Sequence, residues 1–170
     1  VGDRSAVGFL DGAYRVNIGP IVVAPKFELD AENRAAILRL EDAARQLPQI
    51  DLPVKHYFAP GVYVREIFMP AGAVVTGRVH LQDGITMVLQ GAFRFTDGGE
   101  VKEVRAPCTW VSPKGAKKAL YILEDCILSG CFANPTDERD VDKLVAMMTT
   151  ETHEQFLERE RLLLADGMGE

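Results

Sequence analysis

The chain has 170 residues, 47% hydrophobic and 26% charged, with 25 acidic against 19 basic side chains and a formal net charge of −6. That apolar content excludes a disordered chain, and 15 Gly and 9 Pro without a period exclude collagen-like and coiled-coil fibres. No apolar run approaches the ~20 residues that a membrane helix needs, and the acidic balance argues against general nucleic-acid binding, though not against a local basic patch. A soluble globular protein whose core needs no metal or disulfide is expected.

Residues 1–29 are punctuated by Gly2, Gly8, Gly12, Gly19-Pro20 and Pro25. Tyr14-Arg15-Val16-Asn17-Ile18 alternates and Ile21-Val22-Val23 is a short apolar run, so two short strands or an extended arm are expected. No basic stretch followed by an apolar one opens the chain, which predicts no secretion signal. Residues 30–47 read as a helix: Asp30 caps it, Ile37, Leu40, Ala44 and Leu47 form one apolar stripe, and Pro48 stops it. Arg34, Glu41, Asp42 and Arg45 supply its wet face.

Residues 52–133 read as β throughout. Residues 62–69, 73–80, 85–90, 92–96, 100–105, 118–123 and 127–133 alternate or run apolar. Turn signals divide them, among them Pro70-Ala71-Gly72, Gly91, Asp97-Gly98-Gly99 and Ser112-Pro113-Lys114-Gly115. About eight short strands punctuated every 8–12 residues predict a sandwich or barrel. Residues 137–165 return to helix. Val141, Leu144, Val145 and Met148 follow helical spacing behind a Thr136-Asp137 cap, and a second helix carries heptad-spaced Phe156/Leu163 and Leu157/Leu164. The expected organisation is an arm and helix over 1–51, a barrel over 52–134 and a helical extension over 135–170.

Cys108, Cys126 and Cys131 are odd in number and lack metal-ligand spacing, so buried inert thiols in a reducing, cytoplasmic setting are expected. Ser112 and Ser129 sit in no nucleophile elbow, and nothing brings Glu66 and Asp83 together as acid and base. The cluster Lys114, Lys117 and Lys118 reads as a solvated turn.

The stretch Pro70-Ala71-Gly72-Ala73-Val74-Val75-Thr76-Gly77-Arg78-Val79-His80, with the following 85–91, resembles the first motif of the cupin superfamily. Ala106-Pro107-Cys108 with 113–118 resembles the second. More narrowly, residues 53–66, 106–112, Glu124-Asp125 and Thr136-Asp137-Glu138 resemble short cupin-like proteins of tailed phages and bacteria. The resemblance implies a mainly β fold, a double-stranded β-helix or jelly-roll barrel, with one N-terminal helix and C-terminal helices around it.

A cupin metal site takes two His and a Glu from the first motif and a His from the second. The matching positions in this chain hold Arg78, His80, Gly84 and Lys118. Arg and Lys repel a divalent cation and offer it no lone pair, so no metal or other cofactor is expected. The family register turns Arg78, His80 and Lys118 into the barrel, where Arg suits a carboxylate or phosphate. Three readings follow. The first is a non-enzymatic structural or accessory protein of phage type, cytoplasmic or virion-associated, acting through homo-oligomer or phage-protein contacts. The second is a metal-free binder of a small phosphorylated or carboxylated ligand through Arg78, His80 and Lys118. The third, a metal-dependent enzyme, lacks its ligand set.

Overall fold

A computed structural model of the chain describes residues 31–96 and 100–167. The arm over 1–29, the cap Asp30 and the turn 97–99 lie outside the described residues. The fold is mainly β. Helix α1 (Ala31–Arg45) precedes strands β1 (Val54–Ala59), β2 (Gly61–Met69), β3 (Val74–Thr76), β4 (Val79–His80), β5 (Gly84–Thr96), β6 (Lys102–Arg105), β7 (Cys108–Ser112) and β8 (Ala119–Asn134). Helix α2 (Val141–Met148), strand β9 (Thr149–Thr150) and helix α3 (His153–Gly167) follow. Among the described residues, no helix is long and apolar enough to cross a membrane.

Two long antiparallel strands, β5 and β8, form the spine of a jelly-roll barrel. β8 pairs with β5 along most of its length, with β3 through its first residues and with β2 through its second half. β5 pairs with β7 near its start and with β6 near its end. The sequence reading splits each spine strand in two, whereas each runs unbroken through an irregularity. The register between β5 and β8 shifts at Val88/Gln90, Gln90/Ala92 and Ala92/Phe93. Gly91 sits there at φ +79°, and a Cβ on it would run into the Asp125 carbonyl. The irregularity moves the inward face from Val88 to Phe93, an odd number of residues apart, which strict alternation forbids. The bend brings both halves into one core, in which Met69, Val88, Phe93, Leu120, Ile122 and Cys126 are buried together.

The predicted strand 73–80 is instead broken at Gly77-Arg78 into β3 and β4. β4 pairs with β9, so the C-terminal extension, read as wholly helical, contributes a strand. The backbone N–H of Leu81 also donates to the Met148 carbonyl at 2.8 Å. Upstream of β9, Leu144 and Met148 of α2 pack with Tyr63 beside Phe58 and Phe132. The cap of α2 is Asp140, whose carboxylate accepts from the N–H groups of Asp142 and Lys143, rather than Thr136-Asp137. Asp137 instead accepts from the Gly61 N–H at 2.7 Å.

α1 lies against β3 and β8. Ile37 is buried, but Leu40 and Leu47 of the predicted stripe are exposed. Glu41, assigned to the wet face, turns inward to meet Lys117 at 2.8 Å. Lys117 is only 2% exposed and also donates to the Glu151 carbonyl at 3.0 Å. The lysine cluster is therefore not a solvated turn. Lys114 pairs with Glu160 at 2.7 Å, Lys117 ties α1 to the segment before α3, and Lys118 turns the other way.

Candidate functional site

The barrel encloses a cavity of about 310 Å³. The antiparallel register fixes which side chains meet in it. Period-two alternation puts Tyr63, Arg65, Ile67 and Met69 of β2 on its wall. Across the ladder, Tyr63 faces Phe132, Arg65 faces Gly130, Ile67 faces Leu128 and Met69 faces Cys126. On the next strand Thr86 is level with Gly130, and Val88 with Leu128. The wall thus has polar Arg65 and Thr86 at the level of Gly130, and apolar Ile67, Leu128 and then Met69 beyond them. Val145, Met148 and Thr149 of the C-terminal segment close one side.

Arg78, His80 and Lys118 all line this cavity. His80 sits in β4, its ring edge-on to Phe132 at 5.6 Å. Its Nδ1 is buried without a hydrogen-bond partner among the described residues. Burial first, then the charges of Lys118 and Arg65, push its pKa down to about 4. It is therefore neutral at pH 7. Lys118 donates to the Ser112 hydroxyl. Arg78 does not share a strand with His80, as the family register implies. It lies in the gap between β3 and β4, where its Nε donates to Thr149 Oγ1 at 2.8 Å and its Nη1 meets Glu151 at 3.2 Å. The break in the strand turns Arg78 toward the rim and gives it a counter-charge.

Arg65 is the site residue that the motifs do not reveal. It lies on the cavity wall, has no hydrogen-bond or ion-pair partner among the described residues, and is close enough to depress the titration of His80. Its signal was present in the alternation Tyr63, Arg65, Ile67, Met69, which places a guanidinium on an otherwise apolar face. Among the described residues the cavity wall carries no Asp or Glu. Glu66, next along β2, faces away and pairs with Lys55 at 3.1 Å, and Asp83 accepts from the Lys114 N–H at 2.8 Å. Tyr63 is buried, and burial raises its pKa, so it adds no negative charge. Its hydroxyl meets His56 Nδ1 at 2.7 Å.

A metal does not fit these residues. Among the described residues no three His, Cys, Asp or Glu side chains converge. A Cβ at Gly84 would lie 2.7 Å from the Phe132 ring, so the position of the family's Glu has no room for a longer side chain. Lys118 and Arg65 add positive charge where a cation would sit. The thiols are also unsuited: the three cysteines are free, and burial pushes Cys126 up to about 11.

No family model matches the chain, and no curated protein matches it. Solved structures do resemble it. KdgF from Halomonas sp. is 22% identical over 56% of this chain and 90% of its own, with a TM-score of 0.45. A cupin-2 domain containing protein from Shewanella frigidimarina is 14% identical over 56% of this chain and 92% of its own, with a TM-score of 0.41. Salicylate 1,2-dioxygenase from Pseudoaminobacter salicylatoxidans is 17% identical over 71% of this chain and 36% of its own, with a TM-score of 0.49. Likeness at this level says nothing of a ligand or an activity. The jelly-roll architecture follows from the strand pairing described above, and the solved structures that resemble it include cupin proteins.

Proposed function

We propose that the chain is a metal-free binder of a small anionic ligand held inside the barrel. The observation that carries this is the charge of the cavity wall. Arg65, Arg78 and Lys118 line it beside neutral His80, with no carboxylate on the wall among the described residues. Arg65 is exposed to solvent as well as lining the cavity, so its guanidinium is open to an anion from outside. Glu151 compensates Arg78, and no described group compensates Arg65. A guanidinium offers a planar fork that matches a carboxylate or phosphate. Isothermal titration of the full chain with small carboxylates and phosphates should give at least one saturable ligand. Arg65→Gln should weaken that ligand at least tenfold at unchanged melting temperature. An affinity unaltered in the variant, or no binding by any anion, would sink the reading.

A second reading, a structural or accessory protein of phage type acting through self-association, draws on a different surface. Leu157, Leu162, Leu163 and Leu164 of α3 are all exposed, and Leu157 and Leu164 stand one heptad apart. Such a stripe suits a second copy of the same helix. Under this reading the chain has the mass of a dimer or larger in light scattering, and Arg65→Gln leaves that mass unchanged. A strict monomer contradicts it.

A further inference from the structure

We infer that the ligand is an organic carboxylate with an apolar body, aliphatic or aromatic, lying with its carboxylate at the Arg65 tier and its carbon body toward Ile67 and Leu128. This rests on the anion-binding reading and narrows it. The argument is the segregation of polar and carbon groups along the ladder. Arg65, Thr86 and Gly130 are level with one another. Trp110 is paired with Thr86 at the same level, and Ser112, which holds Lys118, is two residues farther along β7. Arg65 and Thr86 therefore share one level of the wall, with the hydroxyls of Thr76 and Thr149 elsewhere on it.

One step along the strands the wall changes character. Ile67, Leu128 and Met69 line it there, and they pack into the cluster that contains Phe93 and Leu120. A sugar phosphate or nucleotide would bury hydroxyls or ring nitrogens against that carbon surface with no partner. A hydrocarbon body loses nothing there and gains from leaving water. Trp110, level with Thr86 and stacked on Phe95 at 6.0 Å, adds an aromatic wall beside the carboxylate end. The charge fits too. With Arg78 already facing Glu151 and His80 neutral, Arg65 is left to meet one carboxylate. The volume, about 310 Å³, is at the small end of the roughly 300–1,000 Å³ of ligand cavities, which limits the body to a single ring or a short chain.

The test is a calorimetric series on the full chain. The probes are butyrate, hexanoate, octanoate and phenylacetate, with phenylacetamide as the uncharged control and inorganic phosphate and a hexose monophosphate as the rival anions. The expected result is binding of the carboxylates, tightening about three- to fourfold per added methylene until the cavity is full. Phenylacetamide should bind at least tenfold more weakly than phenylacetate. Binding of phosphate or the hexose monophosphate without the carboxylates would overturn this inference and leave the anion-binding reading standing. Silence from every anion would overturn both. Phenylacetamide binding as tightly as phenylacetate would also overturn both, because the cations would then play no part.

Discussion

Replacing Lys117 by Ala is expected to lower the stability of the fold by about 3 kcal/mol, the low end of the range found when one partner of a buried ion pair is removed, because Arg45 still faces Glu41. In a chain of this size that corresponds to a fall in melting temperature on the order of 10 °C. The ammonium group is almost fully buried, 2.8 Å from the Glu41 carboxylate and 3.0 Å from the Glu151 carbonyl. Its loss leaves a mostly buried carboxylate with only the exposed Arg45 at 3.5 Å as counter-charge, together with an orphaned carbonyl and a cavity. Replacing both partners by apolar residues, Lys117→Met with Glu41→Leu, is expected to cost far less, because no unpaired charge remains. Urea denaturation of the two variants checks both statements. Equal losses in the single and the double variant would mean that the pair does not hold α1 to the barrel.

Gly91→Ala is the second large effect. Gly91 lies at φ +79°, where an L side chain is strained, and its Cβ would be 2.8 Å from the Asp125 carbonyl carbon, with the oxygen nearer still. The obstacle is backbone, which cannot rotate aside as a side chain can. Relief requires the register shift between β5 and β8 to move, and that shift sets the inward face of Phe93. A loss of roughly 3 kcal/mol is expected, read as a lower denaturation midpoint. Gly72→Ala is the control. It has a similar φ of +82° but open space around its Cβ, so it should lose only the conformational part, about 1 kcal/mol. Equal losses at the two positions would show that the close approach at Gly91 is not what requires glycine there.

The residues differ in how plainly the sequence declared them. His80 and Lys118 stand where the motifs put them, because strand alternation and turn chemistry are local and survive in the tertiary fold. Arg78 lines the cavity, but not through the strand register that the motif implies. The strand breaks at Gly77, and a partner seventy residues away, Thr149, fixes the side chain. Arg65 is legible in a plain alternation, although no motif names it. Lys117 and Lys118 look alike in sequence, yet adjacent residues of an extended chain face opposite ways. One enters the barrel and the other anchors a helix. β9, two residues long, could not be foreseen: only its pairing with β4 makes it a strand, and that contact is non-local. Likewise Gly91 announced a break, but whether a glycine ends a strand or bends it depends on the strand opposite.

The most direct test of the anion site is the titration of His80, followed by its imidazole NMR signals in the free protein and in the presence of phenylacetate. In the free protein its pKa is about 4, against an ordinary value of 6.5, because burial and the charges of Lys118 and Arg65 oppose a proton. The unfolded chain takes up that proton first. The contribution of His80 to stability is therefore intact above pH 6.5 and is lost as pH falls from there to about 4. A carboxylate held between Arg65 and Lys118 adds negative charge beside the ring and must raise the pKa toward its ordinary value. The account predicts an upward shift of about one unit or more at saturating phenylacetate, abolished by Arg65→Gln. A titration curve that stays in place with phenylacetate raised to about ten times the concentration of a millimolar binder (−4.1 kcal/mol) would contradict it.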